Sequence, residues 1–213
     1  MPPPASQQDR ALSLLKERGI TRLSEFTGAG ITAATVSRLK DKGLIAQLGR
    51  GLYQLPGASL DANHSLAEAA KRVPNGVVCL VSALAFHELT DTIPARVWMA
   101  IGPKDRHPRI GSPPLQFVRF RPDLLRAGVE THTIEGVPVK IFNAAKTVVD
   151  LFRYRQRQGV RYRHSTGLNL AIEGLREAFR TRKATPAGIA KYAEEAGIWK
   201  IMRPYVEAVT ANA

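Results

Sequence analysis

The sequence predicts an α+β fold in two domains: a small amino-terminal unit of helices with a β-hairpin, then a larger unit with a small, mostly antiparallel sheet and carboxy-terminal helices. Three observations predict it. The stretch Ile20 to Pro56, ITRLSEFTGAGITAATVSRLKDKGLIAQLGRGLYQLP, reads as a short helix, a glycine turn, a second helix and a tight hairpin. Further on, ARVWMAIG, LQFVRF, VETHTI and VPVKIF are strand-like runs bounded by Pro or Gly. From Asn143 onward the apolar residues recur at helical spacing.

The elements follow in order. Residues 1–6 are rich in proline, and a helix over 7–18 turns Leu12 and Leu15 inward before Gly19 closes it. In the second helix of the opening stretch, Val36 and Leu39 face inward with Leu44, while Ala34, Ser37, Arg38 and Asp41 project from the other side. Thr32 has the hydroxyl of an N-cap, and Gly43 stands where a left-handed residue stops a helix. LIAQLGRGLYQL then forms two short strands around Gly49-Arg50-Gly51. Helix, turn, helix and hairpin together describe a winged helix-turn-helix over residues 1–57.

GASLDANH reads as a linker, with a boundary between Pro56 and Ala62 and a second domain over 62–213. That domain opens with a helix over 65–72, a Pro74-Asn75-Gly76 turn, the apolar run VVCLV and a short helix in SALAFHEL. The strands follow, with Glu135-Gly136 as a hairpin turn. The segment GPKDRHPRIGSPP is too rich in Pro, Gly and charge for a core element and is expected to be an exposed basic loop. Helices are expected over 144–158, 166–182, 186–196 and 198–209, the first capped by Asn143 and the third carrying Pro186 early.

Composition narrows the function classes. Across 213 residues, 31 Lys and Arg against 18 Asp and Glu leave a net charge of +13, which favours a polyanionic partner. A single cysteine, Cys79, excludes an internal disulfide and, within VVCLV, reads as a buried small hydrophobe. No stretch reaches the roughly 18 apolar residues of a membrane span. MPPPASQQD lacks the basic and apolar regions of a secretory signal, so a cytoplasmic location is expected.

No metal-ligand spacing joins the five histidines, and neither CxxC, HExxH, a phosphate loop nor a GxSxG elbow occurs. Neither a cofactor nor a catalytic residue is therefore expected. The alternative of a nuclease would rest on Glu135, Lys140 and Asp123, and that of a ligand-sensing regulator on the second domain. Lys146 and Asp150 form an i,i+4 pair on a helix apolar over a wide arc, which makes them either a surface ion pair or a partly buried anchor.

In a winged helix the second helix of the unit enters the major groove. Ala34 can then touch a thymine methyl and Arg38 can pair with guanine, while Thr32, Thr35 and Lys42 lie where phosphates pass. Ser37 shares the outward face, Arg50 at the hairpin tip would meet backbone or minor groove, and Tyr53 completes the expected contact set. A use of the same unit for protein contacts is the competing reading. Beyond it, Arg106 and Arg109 in the basic loop, and Arg153, Arg155, Arg157, Arg161 and Arg163 interleaved with Tyr154 and Tyr162, form a candidate nucleic-acid surface.

The order of these pieces resembles the AbiEi-type antitoxins, regulators in phage-defence toxin–antitoxin pairs, over residues 7 to 180. GRGLYQLP ends a similar winged helix, and VSALAFHELTDTIPARVWMAI is similar to the family's serine, apolar helix, "L-T", proline and strand. VPVKIFNAAKTVVDLF resembles its strand followed by E-R-T-x-x-D, with Ala145 in place of the glutamate, Lys146 in place of the arginine, then Thr147 and Asp150. The resemblance implies a repressor that binds inverted repeats of double-stranded operator DNA. It also implies a second domain that supports repression and counters a nucleotidyltransferase-like toxin without a stable complex.

Overall fold

The computed structural model describes residues 6–57, 61–106, 112–154 and 167–211. The chain divides into two compact units, one of residues 1–74 with 132–139, the other of 75–131 with 140–213. Both mix helices with sheet.

The first unit contains α1 (Gln7–Arg18), β1 (Thr21–Arg22), α2 (Leu23–Gly28), α3 (Ala33–Asp41), β2 (Ala46–Gly49), β3 (Leu52–Gln54) and α4 (His64–Arg72). Ser6 and Asp9 start α1 with a reciprocal capping box, each side chain accepting the other's amide. β3 lies between β1 and β2, antiparallel to both, with an irregularity between Gln47 and Gly49. The strand β1 is too short to be read from the sequence. Ala11, Leu15, Phe26, Ile31, Val36, Leu39, Ile45 and Tyr53 form the core, and Phe26 meets Tyr53 edge-on at 6.0 Å between centroids. Leu44, expected inward, is 37% exposed, and Ile45 takes its place. Gly43, at φ +69°, reverses the chain after α3, so the helical phase does not carry past it.

The first unit extends past the expected boundary near residues 57–62. Lys71 of α4 reaches the Glu25 carboxylate of α2 at 2.8 Å, and Arg72 donates to the Leu48 carbonyl at 3.3 Å. Those ion-pair and backbone contacts hold α4 to the first unit. The tip of a second hairpin, residues 132–139, belongs here too. Its Glu135 carboxylate accepts the Asp61 amide at 2.7 Å and lies 2.7 Å from His64 Nδ1. A Cβ on Gly19 would fall 1.8 Å from the Glu135 carbonyl oxygen, so only glycine fits there.

The second unit contains β4 (Val77–Val78), α5 (Leu80–Phe86), β5 (Val97–Ile101), β6 (Leu115–Arg119) and α6 (Pro122–Arg126). It continues through β7 (Val129–Ile134) and β8 (Val137–Phe142), which reach into the tip residues. α7 (Ala144–Tyr154), α8 (Leu168–Arg180), α9 (Pro186–Glu195) and α10 (Trp199–Thr210) complete it. The sheet order is β6-β5-β4-β8-β7. It is mixed rather than mostly antiparallel: β5–β6 and β4–β8 pair parallel, and β4–β5 pair antiparallel. The two-residue strand β4, inside a run expected only to be buried, makes a parallel neighbour of β8. Glu135 and Gly136, both at positive φ, form the expected turn between β7 and β8.

The described helices follow the expected order, with α5 starting two residues earlier than SALAFHEL and the short α6 in addition. Asn143 caps α7, its side-chain oxygen accepting the Lys146 amide at 2.9 Å, and Pro186 opens α9. α7 is buried from Ala144 through Phe152. Its Lys146 and Asp150 are therefore an interior ion pair, 1% and 0% exposed, not a surface one. The Lys146 amine also lies 4.5 Å from the Phe142 ring and 4.9 Å from Phe120. Burial pushes the Asp150 carboxyl above its ordinary range, with Lys146 and Arg153 opposing the shift. Cys79 is fully buried in the same core.

Three stability outcomes follow from the Lys146–Asp150 and Lys71–Glu25 pairs. Asp150→Ala leaves the Lys146 charge buried without its partner and should lower unfolding stability by about 3–5 kcal/mol in urea. Replacing Lys146 and Asp150 together by Met and Leu should cost far less than the two single changes added. In the first unit, burial raises the Glu25 carboxyl, but Lys71, the Arg22 amide and Arg18 outweigh it and hold the group below its ordinary 4.5. A depressed carboxylate stabilises the fold fully above about pH 4.5 and loses that contribution as pH falls through the lowered value. Glu25→Gln should therefore lower stability at pH 7 and flatten the acid limb of a stability–pH curve.

Candidate nucleic-acid interface

α3 is short and amphipathic. Burying Val36 and Leu39 leaves Ala33, Ala34, Ser37, Arg38, Lys40, Asp41 and Lys42 exposed. Thr32 caps the helix, its hydroxyl accepting the Thr35 amide at 3.2 Å. At the other end Gly43 closes it, and Lys40 pairs with Asp41 at 3.5 Å. The outward face thus presents two small side chains and a serine near its start, with cations toward its end. A groove of about 400 Å³ lies beside this face, between the start of α1 and α3, lined by Ser6, Gln7, Gln8, Thr32, Thr35, Arg38, Leu39 and Lys42.

The β2–β3 turn carries Arg50, exposed, between Gly49 and Gly51. Gly51 has φ +68°, and its carbonyl accepts the Leu23 amide at 2.9 Å, which pins the turn to the start of α2. Arg72 packs against Gly49, where a Cβ would fall 2.6 Å from its guanidinium.

Two expected contact residues are turned away from this face. Thr35 is 6% exposed, because it lies one helical turn before Leu39 on the buried stripe. Its hydroxyl donates to Gln7 Oε1 at 2.8 Å and accepts from Arg38 Nη2 at 3.2 Å, so it supports the surface from beneath and does not meet phosphate. Tyr53 is 8% exposed and packs on Phe26. It turns inward on β3 into the core with Phe26, Val36 and Leu39, while its neighbour Leu52 is buried on the opposite face of the strand. Gln7 was missed. Its partners lie 25 and 28 residues on, beyond any local pattern, although the Ser6–Asp9 capping spacing places it at the start of α1.

The second candidate surface divides. Arg106 is exposed. Arg153 is half-buried, 4.0 Å from Asp150 and 5.3 Å over the Phe120 ring, so its charge is turned toward the core and not toward solvent. Arg109, Arg155, Arg157, Arg161 and Arg163 lie outside the described residues. Arg119 of the same cluster donates to the carbonyls of Gly102, Pro103 and Asp105, and Arg121 pairs with Asp123 at 3.0 Å. Among the described residues no group of three His, Cys, Asp or Glu side chains is placed to hold a metal ion. Glu135, a residue of the nuclease alternative, is engaged by His64 and the Asp61 amide.

Residues 9–56 match the family described as "Transcriptional regulator, AbiEi antitoxin". The matched segment runs from the first turn of α1 to the end of the β2–β3 hairpin, and it contains every exposed α3 residue named above together with Arg50. No curated protein sequence matches the chain. Among solved structures, the RV2827C protein from Mycobacterium tuberculosis is similar over 96% of this chain and 78% of that one, with a TM-score of 0.57 and 14% identity. At that identity the likeness is one of fold, and it extends through both units. No described helix is long and apolar enough to cross a membrane.

The left-handed stop after α3 provides a test of local geometry. A Cβ added to Gly43 meets nothing within 4 Å, so Gly43→Ala should destabilise through backbone strain alone, by about 1–2 kcal/mol in urea unfolding.

Proposed function

We propose that the chain is a DNA-binding transcriptional repressor and the antitoxin of a toxin–antitoxin pair, reading duplex operator DNA through a winged helix-turn-helix within residues 1–57. The observation that carries this reading is the outward face of α3. Apart from Asp41 it is small, hydroxylic or basic, and it belongs to the segment that matches the AbiEi regulators. In this reading α3 lies in the major groove. Ala34 approaches a thymine methyl, Arg38 pairs with guanine O6 and N7, and Thr32, Ser37 and Lys42 face phosphates or base edges. Arg50 follows the backbone or enters the minor groove, and the net charge of +13 supplies the sequence-independent attraction.

Two recognition units on inverted repeats would match a symmetric operator. The second domain, residues 62–213 in the sequence reading, supports repression and counters a nucleotidyltransferase-like toxin without a stable complex. The protein acts in the cytoplasm. The family resemblance supports these last points.

The reading head is tested by paired substitutions in the full chain. Arg38→Ala should weaken operator binding by about 1–3 kcal/mol and relax the preference at one base pair. Arg50→Ala should weaken all duplexes alike and reduce the slope of log affinity against log salt by about one unit. Fluorescence anisotropy over a salt series measures both, and unchanged affinity for both variants would remove the winged-helix reading.

A further inference from the structure

Gln7, two residues before the segment matched by the regulator family, controls the surface of α3 from a different helix. Its Oε1 accepts three donors: the Thr32 amide at 3.2 Å, the Thr32 hydroxyl at 3.3 Å and the Thr35 hydroxyl at 2.8 Å. The opposite amide orientation would set its NH2 against the Thr32 N–H, donor against donor. The carbonyl is therefore the end that faces α3.

This choice has a consequence one bond further on. A threonine hydroxyl has one proton to give. Thr35 directs it to Gln7 Oε1 at 2.8 Å, nearer than the Thr32 hydroxyl at 3.0 Å, which leaves its oxygen lone pairs to accept from Arg38 Nη2 at 3.2 Å. Thr35 is buried at 6% exposure and sits in a helix, so it offers a fixed platform beneath the guanidinium of the exposed Arg38. The same network grips the Thr32 cap, where the chain enters α3.

We propose that Gln7 is a specificity-determining positioning residue: through Thr35 it fixes the Arg38 guanidinium in the orientation used to read a base pair. This rests on the reading of α3 as the DNA-recognition helix. Arg38 then meets the duplex already ordered, and the discrimination it provides contains the entropy it has no need to lose. Without the acceptor on Gln7, the Thr35 proton turns to the Thr32 hydroxyl 3.0 Å away or rotates freely, and the lone pair that meets Arg38 is no longer held in one direction.

Two measurements on the full chain separate this inference from the reading beneath it. The first needs no DNA. In the free protein, ¹⁵N relaxation of the Arg38 guanidinium should show an ordered side chain, freed by Gln7→Met and by Thr35→Val and retained in Thr35→Ser. An Arg38 equally mobile in wild type and Gln7→Met overturns the inference, whatever the protein binds.

The second measurement is a base-by-base affinity profile on selected duplex DNA. Gln7→Met and Thr35→Val should each reduce discrimination at the base pair assigned by Arg38→Ala by about three- to tenfold, the range for releasing one ordered long side chain. Affinity for random duplex and the salt slope should stay at wild-type values, and Thr35→Ser should rescue the profile. In an Arg38→Ala background, Gln7→Met should have no further effect. An equal loss on every sequence, or an undiminished effect in that background, overturns the positioning role. If Arg38→Ala itself leaves the profile unchanged, the α3 reading fails and the Gln7 role falls with it, independently of the relaxation result.

Discussion

The burial of Val36 and Leu39 is the constraint from which the exposed face of the first unit follows. Neither is more than 2% exposed, and they close a core with Ala11 and Leu15 of α1, Phe26 of α2, and Ile31, Ile45 and Tyr53. Fully burying a Val or Leu side chain is worth about 1.5–3 kcal/mol, far more than any single polar contact on the opposite side. The rotation of α3 about its axis is therefore set by apolar packing, and the 3.6-residue period places Ala34, Ser37, Arg38 and Asp41 outside. The polar network of Gln7, Thr32 and Thr35 then refines a surface that the core has already oriented. Removing that network would leave the helix in place and its arginine less ordered.

The second unit is organised around an opposite problem. α7 has no solvated face from Ala144 to Phe152, yet it carries a lysine and an aspartate. One turn apart, they satisfy each other, and Phe120 and Phe142 flank the amine with ring faces. A hydrophobic pair of similar volume could fill that space at equal or greater stability. Asp150 Oδ1 and Arg153 Nη1 are buried with no hydrogen-bond partner among the described residues, although they lie 4.0 Å apart. The aspartate thus serves two cations with unequal geometry. This is why Arg153 belongs to the core's charge balance and not to a solvent-facing arginine strip.

Local chemistry made much of this legible before any coordinates. The Thr32 cap, the Gly43 stop, the Glu135-Gly136 turn, the Asn143 cap and the apolar stripe of α3 each depend on residues within a few positions of one another. What was not legible depends on distant partners. Thr35 was assigned to phosphate because it is hydroxylic, although its i,i+4 relation to Leu39 places it on the buried side. Tyr53 lies on a strand buried at successive positions, so alternation does not mark which side of it faces outward. The parallel pairing of β4 with β8 joins Val78 to Ile141, and no periodicity within a two-residue strand announces it. Glu135 was weighed as a catalytic carboxylate, but His64, 71 residues earlier, and the Asp61 amide engage it. The first unit continues through α4 because Lys71 and Arg72 reach Glu25 and Leu48, 46 and 24 residues earlier, and no local pattern announces such contacts.

In the proposed function the exposed face of α3 reads duplex DNA by sequence. Binding-site selection tests it most directly, using the full chain, a randomised double-stranded library and a salt concentration near 0.15 M, where the Debye length is about 8 Å and unspecific attraction is damped. The expected result is recovery of one short motif, present as an inverted repeat and containing a guanine whose enrichment disappears when the selection is repeated with Arg38→Ala. Recovery of no motif, or of the same motif with the variant, would contradict it.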